Sequence, residues 1–211
     1  LHRFIRGNST SDSHNDVHAL DSAPRTAPLL CVFSPKCRFC RSRGVARHAR
    51  PRLSGVCTVM INIAEDGVAR LLAVRDENPA REWDALGEWW PESYPNVVGI
   101  RDRRAGGAWL AADASTRRLA VLLNRADTLG LPEAEVRSRG ALVLESVAGR
   151  SPEGSQRVHG FNLLEVNPAG ARVISWNGET LSETPVSAGT HMIAHDDLDD
   201  PRTPRIAHWL P

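Results

Sequence analysis

Lysine is nearly absent: of 26 Lys and Arg residues only Lys36 is a lysine. With plentiful Ala, Arg, Pro and Gly, this bias points to GC-rich coding DNA, where chance stop codons are few and spurious upstream frames stay open. No apolar run approaches the roughly 18 residues that a membrane-spanning helix needs, so no membrane span and a cytoplasmic location are expected. A secretory signal needs a basic start, an apolar centre and a small-residue cleavage site; Pro28 to Ser34 is apolar but too short and in the wrong place. The spacing of a dinucleotide-binding loop is missing, and Gly106-Gly107 reads as a tight turn against a packed Trp109. The acidic run Asp196-Asp197-Leu198-Asp199-Asp200 lacks the Gly and terminal Glu of an EF-hand and reads as a solvated loop leading to a helix N-terminus.

Charge divides the chain. Residues 1–55 carry ten Arg or Lys against three Asp, whereas residues 56–211 carry sixteen against twenty-two Asp and Glu. A basic arm can bind nucleic acid, but this one has no repeat and no interleaved aromatics for base stacking, so no nucleic-acid partner is expected. It shows neither helical nor strand period, and too little apolar residue to offset the entropy of ordering. The expectation is that residues 1–55 are disordered, or are an upstream extension not translated in the cell. Cys37 and Cys40, with Cys31 and His48, offer a zinc reading whose spacing fits no known module. His159, His191, His195 and His208 are scattered without metal-type spacing, and no metal site is expected.

What is present starts at Val56. Two apolar, β-branched runs, Val56–Ile63 and Leu71–Val74, flank the polar turn Ala64–Val68 and predict a β-hairpin. Cys57 opens the first strand, and Arg75, Asp76 and Glu77 close the second, so antiparallel pairing sets thiol beside guanidinium. Residues 78–95 read as a loop or short helix carrying Trp83, Trp89 and Trp90. Strands are expected at 97–100, 106–112, 118–124, 160–166, 172–176, 180–183 and 190–194, and a helix over 136–148. Many hairpins and few helices make an α+β protein dominated by antiparallel sheet.

Several short stretches, in order, resemble one family: Cys57-Thr58-Val59, Ala73 to Glu77, Gly106-Gly107 with Trp109-Leu110, Leu123-Asn124, Ser138-Arg139-Gly140, Gly160 to Leu164, and Gly189-Thr190-His191. They are similar to the NRDE family, also called the Transport and Golgi organisation 2 family. The resemblance implies a chain that starts Met-Cys, which supports Val56 as the true start, since a GTG codon reads as Val within a frame and as Met at its start, and Cys57 as the mature first residue. It also implies a domain over 56–211 that is cut short at its C-terminus, and such truncation would leave exposed sheet edges. The family in turn resembles N-terminal-nucleophile hydrolases, which stack two antiparallel sheets between helical layers in an αββα sandwich. That resemblance carries Cys57 to nucleophile, Arg75 to the cation beside the thiol, and Asn124 to an oxyanion donor; Asp76, Trp109, His191 and His195 are the candidate binding residues beside them. Two positions depart from the hydrolase pattern: Asn78 stands where an Asp three residues after the Arg is expected, and His195 stands at a later Asn.

The chemistry also has its own argument. An α-amine titrates near about 7.7–8.0 and a thiol near about 8.5, so a terminal Cys combines a base and a nucleophile of matched strength. A neighbouring Arg raises the thiolate fraction, and a pre-placed Asn N–H at the oxyanion lowers the barrier by roughly 3–4 kcal/mol. All of this requires a free Cys57 amine; otherwise Cys57 is an ordinary strand cysteine. The expectation is a Cys-dependent amidohydrolase acting on a small-molecule amide or acyl ligand, requiring no cofactor. The alternative, from family members implicated in haem trafficking and lipid or acyl-CoA metabolism, is a non-catalytic carrier. For haem, the axial candidates are Cys57, Met60, His191 and His195.

Overall fold

The structure is a computed structural model that describes residues 29–33 by backbone alone and residues 57–76 and 80–210 with their side chains. The rest of the basic segment, with the proposed zinc ligands Cys37, Cys40 and His48, lies outside the described residues, as do Glu77 and Asn78.

The hairpin predicted from the β-branched runs forms as β2 (Thr58–Ile63) and β3 (Ala69–Val74), joined by a turn in which Gly67 takes φ +79°. A strand absent from the sequence reading, β1 (Leu29–Phe33), pairs in parallel with β3 from Leu29↔Arg70 to Phe33↔Val74. The remaining strands are β4 (Trp83–Gly87), β5 (Val97–Asp102), β6 (Ala108–Asp113), β7 (Arg118–Asn124), β8 (Phe161–Asn167), β9 (Gly170–Trp176), β10 (Leu181–Val186) and β11 (Gly189–Ile193). Two helices, α1 (Gly140–Val147) and α2 (Pro204–Trp209), complete the described elements, with a single 3-10 turn at Glu133–Glu135.

The strands form two sheets, one ordered β1-β3-β2-β11 and the other β10-β9-β8-β7-β6-β5-β4. Every pairing among the described strands is antiparallel except β1 with β3. The side-chain period of two divides each sheet into two apolar faces. Val59, Ile61, Leu71 and Ala73 of the small sheet meet Leu110, Leu119, Val121, Leu123, Leu164 and Val173 of the large one in the central core. On the far face of the large sheet, Ala111, Ala120, Leu122, Leu163 and Ile174 pack against Val143, Leu144 and Val147 of α1. On the far face of the small sheet, Met192 and Ala194 pack against Ile206 of α2, with Met60 beside them. The result is an α+β sandwich with the layer order helix, sheet, sheet, helix. Asn162 of β8, fully buried, ties the layers together: its amide donates to the carbonyls of Ala194 (3.0 Å) and Asp196 (2.7 Å) and accepts from Ser175 Oγ (2.7 Å).

Four differences from the sequence reading have a clear physical reason. Residues 83–87, read as loop or short helix, form the edge strand β4, whose only sheet partner among the described residues is β5. Its single buried residue is Asp84, held by Arg101 (2.7 Å) and Arg103 (2.6 Å), so an apolar alternation was never there to read. The helix expected from 136 begins at Gly140 instead, because Arg137 is extended and bridges Val158. The second strand of the hairpin ends at Val74, leaving Arg75 and Asp76 just beyond it. Finally, β10 runs on through Pro185, which an edge strand tolerates because one side of its ladder has no partner among the described residues.

One close approach governs where α1 sits. A Cβ on Gly107 would lie 2.6 Å from backbone atoms of Gly140, and one on Gly140 would lie 2.9 Å from Gly107. The start of β6 and the start of α1 are therefore in backbone contact, which only glycine at both places permits. Gly107→Ala is expected to lower stability by about 2–3 kcal/mol through this overlap. Gly67→Ala, at positive φ but with no neighbour within 4 Å, is expected to cost only about 1 kcal/mol. Urea midpoints of the two variants check the order.

Candidate active site

The pairing of Thr58 with Val74 sets the site. One residue before Thr58 is Cys57 and one after Val74 is Arg75, so the two leave the hairpin at the same end. Cys57 is half-buried against the central core, and its thiol points to the carbonyl of Asp76 at 4.0 Å. Arg75, with only 12% of its side chain exposed, lies 3.8 Å from Asp102 Oδ2 at the end of β5. Asp102 is held firmly: it accepts from Arg81 Nε at 2.6 Å and from the backbone N–H groups of Arg104 and Ala105 at 3.0 Å each. Burial pushes its carboxyl up, but the hydrogen bonds from Arg81, Ala105 and Arg104 outweigh burial and hold it below its ordinary value. It is an anion across the neutral range and balances two guanidinium groups.

These residues form one wall of a cleft of about 310 Å3. Cys57, Arg75, Arg81 and Asp102 share it with Trp109, Leu122 and Asn124 of the large sheet, with residues 136–140 before and at the start of α1, and with Glu133 and His159. Asn124 is the last residue of β7, opposite Phe161, with its side chain exposed towards the cleft. Trp109 reaches the cleft through a bulge: Ile100 pairs with Leu110 and Arg101 with Ala108, so Trp109 is the extra residue on β6. Its indole N–H is buried with no hydrogen-bond partner among the described residues. His159 sits between Asp127 (Nδ1 to Oδ2, 3.2 Å) and Glu133 (Nε2 to Oε2, 3.2 Å). Arg139 donates through Nη1 to the carbonyl of Gly160 at 2.7 Å.

The cleft thus brings together Cys57, Arg75, Asn124 and Trp109 of the residues singled out from sequence. The others lie elsewhere. Asp76 is not among the residues lining the cleft, and its carboxylate meets Arg205 Nη2 at 3.3 Å. His191 lines no part of the cleft; its Nδ1 meets Asp199 Oδ2 at 2.6 Å, and its Nε2 lies 3.3 Å from Ser187 Oγ and 3.2 Å from the Ser187 carbonyl. The Ser, His, Asp order has the form of a hydrolytic triad, but the backbone carbonyl competes for Nε2, and the trio braces the β10–β11 turn against the loop before α2. His195 points Nε2 to Asp196 Oδ2 at 3.2 Å and leaves Nδ1 buried without a partner among the described residues.

Sequence reasoning gave no role to Arg81, Asp102, Arg139 or His159. Arg139 was visible inside the Ser138-Arg139-Gly140 stretch, and the glycine beside it was the available signal, since a glycine at a helix start marks a close approach. Arg81 and His159 come from segments with no period, and only the tertiary fold carries them to the cleft.

Asp102→Asn tests the electrostatic frame. A carboxyl whose folded value is depressed contributes stability that is present above its unfolded pKa and lost as pH falls through the folded value. The variant is expected to be about 1–2 kcal/mol less stable at pH 7, from the loss of hydrogen bonds to a charged group. That gap should begin to narrow as pH falls below about 3.8, the ordinary value from which Asp102 is depressed. Urea denaturation of both proteins at pH 7 and pH 3 checks it.

Among known proteins, the model of the family described as Transport and Golgi organisation 2 matches residues 57–209. No curated protein and no solved structure matches the chain. Among the described residues, no helix is long and apolar enough to cross a membrane. The family match opens on Cys57 and takes in every described strand but β1 and both helices; the chain belongs to the Transport and Golgi organisation 2 family.

Proposed function

We propose that this cleft is the active site of a cysteine-dependent amidohydrolase for small amides, working with Cys57 as the first residue of the mature chain. The observation that supports it is that Cys57 and Arg75, flanking β2 and β3 of one sheet, and Asn124, ending β7 of the other, line one cleft. The family match beginning at Cys57 agrees with a mature start there.

In this reading the Cys57 α-amine takes the thiol proton and the sulfur attacks the amide carbonyl, forming a C–S bond. Arg75 stabilises the thiolate, and the Asn124 amide donates to the oxyanion as the carbonyl carbon becomes tetrahedral. Collapse breaks the C–N bond, and the α-ammonium returns its proton to the departing amine. Water then attacks the thioester with the amine as base, releasing the acid and restoring the thiol. Asp102 keeps Arg75 at the thiol end of the hairpin. A chain starting at Cys57 lacks β1, which leaves β3 as an edge strand, protected by its short length.

The carrier reading finds less support in the site. Of the axial candidates for haem, only Cys57 lines the cleft, and four arginines line it where a macrocycle needs an apolar slot.

The test is a chain that begins at Cys57, compared with one extended by a single residue, assayed on a panel of chromogenic N-acyl anilides. Hydrolysis is expected only with the free Cys57 amine and is abolished in Cys57→Ala. Asn124→Ala is expected to lower kcat by about 10²–10³-fold with no change in melting temperature, since the side chain is exposed. Equal activity in the extended chain, or full activity in Cys57→Ala, would refute the reading; a Soret shift with equal affinity in both chains would favour haem carriage.

A further inference from the structure

The charge in the cleft is lopsided. Four arginines line it, Arg75, Arg81, Arg137 and Arg139, against the carboxylates of Asp102 and Glu133. Asp102 is taken by Arg75 and Arg81, and Glu133 faces His159. Arg137 stands exposed at the rim. That leaves Arg139, which is partly buried and has no ion-pair partner among the described residues. Its recorded hydrogen bond is to a neutral group, the Gly160 carbonyl. Asp127 lies near enough to favour its charge, but its Oδ2 is occupied by the Gly160 N–H (2.5 Å) and by His159. Burial is the main influence on the guanidinium and pulls its pKa below the ordinary value.

A partly buried guanidinium with no carboxylate in direct contact is costly, and the group that relieves that cost is an anion. The bond to Gly160 uses Nη1 and leaves the Nε and Nη2 edge, two parallel N–H groups whose spacing matches the two oxygens of a carboxylate. The backbone contact of Gly107 with Gly140 fixes the base of this side chain, so the edge is positioned before anything binds.

We propose that Arg139 seats a carboxylate of the substrate, making the cleft specific for amides that carry a free acid group, such as N-acyl amino acids. The proposal rests on the reading of Cys57 as nucleophile, which shares the cavity with Arg139. A carboxylate is favoured over a phosphate because a single fork is offered, and a dianion calls for more donors than this edge supplies.

The experiment measures protection of Cys57 from iodoacetamide in the chain that begins at Cys57, read by mass spectrometry of the Cys57 peptide. The competitors are N-acetylglycine, its uncharged amide, and inorganic phosphate. N-acetylglycine is expected to slow alkylation while the amide and phosphate do not, and Arg139→Gln is expected to weaken that protection about tenfold. Arg139→Lys, which keeps the charge but not the fork, should recover part of it, and it carries the comparison should the Gln variant prove unfolded by melting temperature. Undiminished protection in a folded Arg139→Gln, equal protection by the uncharged amide, or protection by phosphate alone overturns the proposal. If Cys57 in the folded chain resists iodoacetamide altogether, the nucleophile reading fails. Calorimetric binding of N-acetylglycine to wild type and Arg139→Gln then decides the carboxylate seat by itself.

Discussion

The antiparallel register of β2 with β3 is the constraint on which the rest depends. With Thr58 opposite Val74, Val59, Ile61, Leu71 and Ala73 all face the large sheet and are buried. A shift of one residue would turn this set to the other face. Full burial of a Val, Ile or Leu side chain is favourable by roughly 1.5–3 kcal/mol, so the slipped register forfeits several such terms together. The same register delivers Cys57 and Arg75 to one end of the hairpin. The force that fixes the core therefore also sets both residues at the end of the hairpin where they line one cleft.

The third member arrives by a different route. Asn124 ends β7 in the middle of the large sheet, and the central core holds that sheet over the hairpin. The cleft opens where this packing stops. Its side walls are set by the Trp109 bulge on β6 and by the Gly107–Gly140 contact, which draws the start of α1 in close. Asp102 anchors the floor through Arg75 and Arg81. Polar groups thus gather at the rim of the apolar sandwich, where their partners are one another and the backbone.

Much of this was legible in the sequence because it is written in short-range patterns. The β-branched alternation of 56–63 and 71–74 gave the hairpin, and the hairpin gave the pairing of Cys57 with Arg75 at one end. The β7 and β8 strands read correctly from their apolar runs, and Asn124 followed as the terminal residue of β7. What stayed hidden depends on tertiary placement. Strand β4 buries only Asp84, through ion pairs with Arg101 and Arg103, so it has no hydrophobic period. Strand β1 is the apolar run between Pro28 and Ser34, too short to stand out as a strand in a segment of otherwise polar composition, and it pairs with β3. Residues 136 and 137 look helical by spacing but are held extended by the bridge to Val158. Arg139 and His159 reach the cleft only because α1 and the segment before β8 fold over the large sheet, a fact no local pattern encodes.

The most direct measurement is intact-mass spectrometry of the chain beginning at Cys57, quenched with acid during turnover of an activated N-acyl substrate and then mapped by peptide. The account predicts a mass gain of one acyl group located on Cys57. An acyl group on another residue, or turnover with no acylated protein in a substrate whose second step is slow, would contradict it.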